Sequence, residues 1–107
     1  MSLWKTLFGG GTGDSATARV SGTQARQLVT DGALLLDVRT PTEFGGGHLP
    51  DALNVPVGQL ARRMDEIPQD RPIVVYCRSG ARSSRAAGML SRNSRGPIHD
   101  LGPMSAW

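Results

Sequence analysis

Two short, unbroken apolar runs constrain the fold of this chain more than any other feature. They are Ala33–Leu36, which stops before Asp37, and Ile73–Tyr76, which stops before Cys77. Neither run alternates with polar residues, a pattern typical of strands that are buried on both faces of a parallel sheet. We therefore predict a parallel β-sheet in which two strands end at a polar or reactive side chain.

Helical patterns surround these two runs. Three helices are predicted, one starting at the capping box of residues 21–24, one over residues 57–67 and one over residues 81–92. Short additional strands are predicted at residues 52–55 and 97–100. Because helices alternate with buried strands, the predicted class is α/β, with an open parallel sheet.

Length and cysteine content narrow the class of protein. The chain has 107 residues and one cysteine, which suits a single domain without an internal disulfide. No apolar stretch approaches the roughly 18 residues that span a bilayer. The N-terminal segment lacks the uninterrupted apolar core of a secretory signal. We therefore expect a flexible N-terminal arm over residues 1–18, a domain over residues 19–107, no membrane span and a cytoplasmic location.

Positive charge is concentrated in the last third of the chain. Residues 71–107 contain six arginines and one acidic residue, whereas residues 1–70 carry a small negative net charge. The cysteine thus lies in the basic part, which indicates an anionic ligand or partner. Nucleic acid is the obvious rival, but aromatic residues are few and no recognition motif is present, so we expect no nucleic-acid partner.

Cys77 begins a short loop of small and basic residues that could activate a thiol. The loop consists of Arg78, Ser79, Gly80, Ala81 and Arg82. In such a tight loop, successive backbone N–H groups point inward, and the N-terminus of the following helix adds a partial positive charge. Both effects favour the thiolate, so a lowered pKa is predicted. The structural alternative is a small buried residue that ends a strand, as free cysteines often are.

Three segments resemble single-domain rhodaneses, a family of sulfurtransferases. Residues 34–56, LLLDVRTPTEFGGGHLPDALNVP, are similar to the family's D-V-R, E-F, G-H-I and A-x-N-I-P signature. Residues 73–83, IVVYCRSGARS, resemble its persulfide-forming loop, and DLGPMSAW at residues 100–107 resembles its terminal L-x-G-G-x-x-x-W motif. The resemblance implies an open parallel sheet of about five strands flanked by helices on both faces.

The resemblance also implies a mechanism that needs no cofactor. Cys77 would attack the outer sulfur of a donor such as thiosulfate, keep it as a persulfide and pass it to a thiophilic acceptor such as cyanide, a thiol or a protein. N–H groups of the loop would hold the sulfur atoms. Arg78 and Arg82 would attract the anionic end of a small sulfur donor.

Loop length separates sulfur transfer from two related chemistries. Related phosphatases and arsenate reductases use C-x5-R, which makes room for a tetrahedral oxyanion. The spacing from Cys77 to Arg82 is one residue shorter, C-x4-R, and favours sulfur. The alternative function is a rhodanese-fold binding or regulatory module with little or no catalysis, and a thiol phosphatase or arsenate reductase ranks below it.

We interpret the first signature, residues 34–56, as structural support for the loop that begins at Cys77. Asp37, Arg39 and His48 are candidate supporting residues, and the spacing of Arg39 and Glu43 predicts an ion pair. His48 and Asn54 are expected to make local hydrogen bonds. One cysteine and two scattered histidines lack the spacing of metal ligands, so no metal is expected.

Two positions depart from the family pattern. Asp51 stands where the family usually has glycine, and Pro103 replaces the second glycine of the terminal motif. The glycine run at residues 45–47 is expected to loosen the loop that precedes His48. These departures concern local geometry, and the chemistry expected of Cys77 is unaffected by them.

Overall fold

A computed structural model describes residues 17–107, which form a five-stranded sheet and three α-helices. The elements in chain order are β1 (Thr17–Arg19), α1 (Gly22–Thr30), β2 (Leu34–Asp37), α2 (Pro41–Gly45), β3 (Leu53–Asn54), β4 (Ile73–Cys77), α3 (Ala81–Arg92) and β5 (Ile98–Pro103). Single 3-10 turns occupy Val57–Gln59, Met64–Glu66 and Met104–Ala106.

The strands form one sheet in the order β1-β5-β4-β2-β3, and every neighbouring pair is parallel. The two apolar runs lie next to each other as β2 and β4, with Asp37 opposite Tyr76. The short strands predicted at residues 52–55 and 97–100 form as β3 and β5, and β5 continues to Pro103. The predicted open parallel α/β sheet is confirmed.

The central strands bury side chains on both faces of the sheet. Val75 of β4 shares a core with Leu90 of α3, and all of the Val75 side chain is buried. Its neighbour Val74 points to the opposite face and shares a second core with Ala25 of α1. This two-sided burial explains why the runs show no polar alternation, and it confirms helices on both faces.

Two of the predicted helices form as expected. In the capping box of α1, Gln24 N donates to Ser21 Oγ (3.1 Å) and Ser21 N donates to Gln24 Oε1 (2.8 Å). The α3 helix spans the predicted range, Ala81–Arg92. Within residues 17–107, none of the helices is both long and apolar enough to cross a bilayer.

The helix predicted over residues 57–67 is wrong, because the segment forms only two 3-10 turns. Leu60 and Ile67 are buried as predicted, but Ala61, which the α-helix would have buried, is exposed. Apolar residues three apart fit 3-10 geometry as well as an α-helix, so their spacing did not separate the two. Arg63, with φ of −110° and ψ of 19°, interrupts the helical conformation.

The edge strand β1 pairs with β5, and Arg19 lies opposite Asp100. Thr17 and Ala18 belong to this strand, so the sheet begins within the segment that was predicted to be an arm. The rest of that predicted arm lies outside the described residues.

Candidate active site

Cys77 is the last residue of β4, and only three residues, Arg78–Gly80, separate it from α3. In an open α/β sheet, the carboxyl ends of strands are where ligands bind. Gly80 has a φ of +106°, in the left-handed region that favours glycine. This conformation turns the chain from strand to helix so sharply that the cysteine side chain lies at the N-terminus of α3.

Hydrogen-bond donors of this turn hold the Cys77 sulfur. The backbone N–H of Gly80 donates to Cys77 Sγ over 3.0 Å. Burial raises the pKa of the thiol, but hydrogen bonds from Ser83 and from the backbone N–H groups of Gly80 and Ser79 lower it. The net pKa of Cys77 lies below its ordinary value, which is the direction expected from the sequence.

Ser83, in the first turn of α3, lowers the pKa of Cys77 through two groups. The residue is fully buried, and both its backbone N–H and its hydroxyl lower the pKa of Cys77. The hydroxyl also lies 3.1 Å from the Gly80 carbonyl oxygen and can donate to it. Since a hydroxyl has one proton, it serves the carbonyl or the thiolate, one at a time. By contrast, Ser79 and Ser84 are exposed.

The two arginines that were predicted to attract an anionic donor have different surroundings. Arg78 is exposed and makes no hydrogen bond or ion pair with any residue between 17 and 107. Arg82 is half-buried, and its Nη1 and Nη2 donate to Glu43 Oε1 (2.7 Å) and Oε2 (2.9 Å). The predicted pair of Arg39 with Glu43 is wrong, because Arg39 pairs with Asp37 instead.

A buried network surrounds Asp37 at the end of β2. Arg39 Nη2 and the Tyr76 hydroxyl both donate to Asp37 Oδ2, each over 2.7 Å. The Tyr76 oxygen accepts a hydrogen bond from Leu49 N (3.1 Å), and Arg39 Nη2 also donates to the Gly47 carbonyl (2.8 Å). Burial, followed by the hydrogen bond to Asp37, raises the pKa of Tyr76 to about 12. The network fastens the loop over residues 47–49 to two strand ends.

His48 and Asn54 make the local hydrogen bonds that were predicted. His48 is exposed, its ring stacks on Phe44 with 3.7 Å between centroids, and its Nδ1 lies 3.0 Å from the Phe44 carbonyl oxygen. Asn54 Nδ2 donates to the carbonyl oxygens of Asp37 and Arg39, both over 3.0 Å. Asn54 therefore stabilises the turn that follows β2.

The two departures from the family pattern have local explanations. Asp51 has a φ of +61°, a conformation that glycine adopts without strain. Pro103 lies opposite Cys77 in the register of β5 and β4. Proline cannot donate to a ladder, but the pairing of β1 with β5 stops at Asp100, so Pro103 has only β4 as a neighbour.

The groups around the thiol suit an anion. They are backbone N–H groups, one hydroxyl and a guanidinium, and all of them are donors or positive charges. No cluster of three or more His, Cys, Asp or Glu side chains in the described residues could hold a metal ion. The arrangement can stabilise a thiolate, an anionic substrate or a negatively charged adduct on sulfur.

Two contributions to the candidate site were not predicted from the sequence. In the sequence, Tyr76 is only the last residue of an apolar run, but its hydroxyl donates to Asp37 and completes the network. Glu43 was assigned to the wrong arginine, since its true partner is 39 residues away. A signal for α2 was available, because Thr40 and Glu43 form a capping box around Pro41 at the start of a helix.

Comparison with known proteins assigns the family. The sequence profile of the rhodanese-like domain matches residues 21–107. The chain is 47% identical over 79 residues to a sulfurtransferase of Allochromatium vinosum, covering 73% of this chain and 74% of that protein. It is 38% identical over 72 residues to the thiosulfate sulfurtransferase GlpE of Pseudomonas syringae pv. syringae, covering 67% and 68%.

Solved structures agree on the fold. A rhodanese-related protein from Thermoplasma volcanium superposes with a TM-score of 0.72 at 23% identity, covering 84% of this chain and 86% of that one. Its sheet and helices are therefore arranged like those described above. With the profile match and the similarity to named sulfurtransferases, it follows that the chain belongs to the rhodanese-like domain family.

Proposed function

We propose that this protein is a sulfurtransferase in which Cys77 carries sulfur as a persulfide. The observation that supports this most directly is the Cys77 sulfur at the N-terminus of α3, 3.0 Å from the Gly80 N–H and with a lowered pKa. Membership of the family and similarity to proteins named sulfurtransferases add to it. The proposed donor is thiosulfate or a persulfide.

The proposed reaction has two balanced steps. The Cys77 thiolate attacks the outer sulfur of thiosulfate, a sulfur–sulfur bond forms to the protein, and the donor's own sulfur–sulfur bond breaks to release sulfite. An acceptor such as cyanide then attacks the terminal sulfur of the persulfide, leaves as thiocyanate and regenerates the thiolate. Each step moves one sulfur atom between nucleophiles, so no proton, metal or external oxidant is needed.

The loop over residues 78–82 is the proposed donor-binding segment. The Gly80 N–H already donates to the sulfur and the Ser79 N–H also lowers its pKa, and both would stabilise a persulfide anion in the same way. Arg78 is exposed and unpaired among the described residues, so its guanidinium is free to bind the sulfonate end of thiosulfate. Arg82 has its guanidinium bound by Glu43.

The proposed acceptor is a small thiol or a protein that docks on the basic surface. Arg85 and Arg92 are exposed and lie two turns apart on α3, the helix that starts at the loop. Together with Arg78 they favour an acceptor protein with an acidic surface. The Cys77 thiol and a free thiol acceptor both stay reduced in a reducing compartment, so we propose a cytoplasmic location.

The burial of Cys77 favours one alternative. None of its surface is exposed, so a donor reaches the sulfur only if the loop or a neighbour moves. A rhodanese-fold binding or regulatory module would need no such movement. A thiol phosphatase or arsenate reductase is supported less, since only three residues separate the strand from the helix.

Intact mass spectrometry tests the proposal. The protein is measured alone, after thiosulfate and after subsequent cyanide, and we expect the gain of one sulfur atom that cyanide then removes. Cys77→Ser should abolish the gain and leave the denaturation midpoint nearly unchanged, because serine is close to cysteine in size. No gain on the wild type, with the thiol still open to alkylation, would favour the binding module. Sulfur gain on Cys77→Ser would refute the mechanism.

A further inference from the structure

The ion pair between Glu43 and Arg82 joins the two loops beside the thiol. Glu43 lies in α2, which follows β2, and Arg82 lies in the first turn of α3, which follows β4. The two strands are neighbours, and the last residue of β2, Asp37, lies opposite Tyr76, one residue before the end of β4. A contact between residues 39 apart in the chain therefore connects adjacent strand ends at the candidate site.

Glu43 is held in place by its own helix as well as by Arg82. Its Oε1 accepts hydrogen bonds from Thr40 N (3.0 Å) and Thr40 Oγ1 (3.1 Å), and Glu43 N donates to the same hydroxyl oxygen (3.2 Å). Arg82 meets this fixed carboxylate with two nitrogens. The side chains of Arg82 and Glu43 are only 33% and 24% exposed, so water screens the pair incompletely.

Arg82 lies in the first turn of α3, directly after the turn that contacts the Cys77 sulfur, so its charge and that of its partner Glu43 act near the thiol. The hydrogen bonds that Arg82 donates to Glu43 are the main cause of the raised pKa of Arg82, and the negative charge of Cys77 raises it to a smaller extent. Arg82, in turn, holds the pKa of Glu43 well below its usual range, so this carboxylate is ionised at neutral pH. The positive charge of Arg82 is thus offset on one side by Glu43.

We propose that Glu43 is a positioning residue that acts through Arg82, holding the guanidinium against α2 and limiting the positive charge felt by the Cys77 thiolate. Limiting this positive charge has a chemical use, because a thiolate becomes a weaker nucleophile as the pKa of its thiol falls. The same limit weakens attraction of an anionic donor, and this second consequence rests on the sulfurtransferase function proposed above.

The test uses Glu43→Gln, which removes the charge and keeps the cap. Gln24 fills the equivalent position in the capping box of α1, so an amide serves there in this fold. We expect the pH at which alkylation of Cys77 by iodoacetamide accelerates to move lower. The KM for thiosulfate should fall by about two- to fivefold, as for a partly screened charge, while kcat does not rise.

Arg82→Gln tests the other partner of the same ion pair, and its effect on the alkylation inflection should have the opposite direction. It removes the positive charge of the guanidinium near the thiol, so the alkylation inflection should move to higher pH and the KM for thiosulfate should rise. The double variant should lose the downward shift seen with Glu43→Gln alone, because Glu43 acts only through Arg82. A loosened loop alone would change both single variants in the same direction.

A second bidentate pair serves as the matched control. Arg63 donates to Glu66 through Nε and Nη2, both over 2.8 Å, in the segment that ends before β4. Glu66→Gln should leave the alkylation profile and the KM unchanged. The proposal is overturned if Glu43→Gln leaves the inflection in place, or if both single variants shift it in one direction.

Failure of the proposed function gives a different pattern. If the wild type gains no sulfur but the two variants shift the alkylation inflection in opposite directions, sulfur transfer is refuted and the role of Glu43 is supported. If the wild type gains sulfur and neither variant shifts the inflection, sulfur transfer is supported and the role of Glu43 is refuted. Alkylation does not depend on turnover, so both results can be obtained on one set of proteins.

Discussion

Cys77 experiences two opposed effects that together set its reactivity. Burial penalises the thiolate, whereas donors from Ser83, Gly80 and Ser79 stabilise it, and the donors outweigh the burial. The lowered pKa of Cys77 therefore depends on these donors. A cysteine at the end of a buried strand without such a turn would have a raised pKa and would be inert near neutral pH.

We expect Ser83→Ala to raise the pKa of Cys77, because it removes one hydroxyl donor and leaves the backbone N–H in place. Alkylation by iodoacetamide at neutral pH should slow several-fold, and its inflection should move to higher pH. Ser84→Ala, at the exposed neighbouring position, is the control and should leave the profile unchanged. An unaltered profile for Ser83→Ala would show that its hydroxyl serves the Gly80 carbonyl alone.

Asp51 offers a separate prediction about backbone strain. Its φ of +61° suits glycine, so Asp51→Gly should range from neutral to stabilising by about 1 kcal/mol, with strain relief offset by unfolded-state entropy. Asp51→Val should destabilise by about 1–2 kcal/mol, because a branched side chain fits the left-handed region poorly. The denaturant midpoints of the two variants, compared with that of the wild type at an unchanged m-value, measure both effects. A clear loss of stability in Asp51→Gly would indicate a stabilising role for the carboxylate.

At the scale of elements, a strand or helix could be predicted where the pattern of neighbouring residues reflects its burial directly. β2 and β4 were recognised because burial on both faces leaves only apolar side chains. The segment at residues 57–67 was not, since a spacing of three residues is shared by two kinds of helix. The short α2 helix has too few residues for a periodicity, and its capping box was the only available signal.

The candidate site divides in the same way. The position of Cys77 at a strand end and its glycine-containing turn could be predicted, because all the residues involved are adjacent in the chain. The partner of Arg82 could not, since it depends on how two loops meet in space. The buried role of Tyr76 was also hidden, because a strand residue with an aromatic ring gives no sign of where its hydroxyl will lie.

Gly80→Ala tests the turn as an element. A Cβ would have room, with its nearest contacts at 3.8 Å, so the cost comes from the φ of +106°. We expect a loss of about 1–2 kcal/mol in unfolding free energy and much slower persulfide formation, because the N–H that contacts the sulfur is displaced. Gly58→Ala is the matched control, since Gly58 has no atom within 4 Å of such a Cβ and no positive φ. Equal stability of the two variants would contradict this account.

For the molecule as a whole, polar contacts at the carboxyl edge of the sheet join the same segments that the apolar cores bring together. Asp37 binds Arg39 and Tyr76, so the ends of β2 and β4 are joined, and Leu49 adds the loop before β3. Removing one partner of such a buried pair costs about 3–5 kcal/mol in other proteins. The stability of the domain and the geometry of its candidate site therefore depend on the same network.

Tyr76 makes this dependence measurable, because it is the only tyrosine in the chain. Its pKa of about 12 in the folded protein should appear as a late midpoint in the ultraviolet absorbance of tyrosinate. In denaturant the midpoint should return to about 10. Because the folded pKa is raised, the stability that Tyr76 contributes is complete below about pH 10 and is lost as the pH rises towards 12.

Tyr76→Phe should abolish this alkaline loss of stability as well as the absorbance change. At neutral pH it should lower the unfolding free energy by about 1–3 kcal/mol, because Leu49 N and Asp37 each lose a buried hydrogen-bond partner. Denaturant unfolding near neutrality and at about pH 11 compares the two proteins. A folded midpoint near 10 would mean that the hydroxyl reaches water, and the network could not then hold the strand ends that carry Asp37 and Cys77.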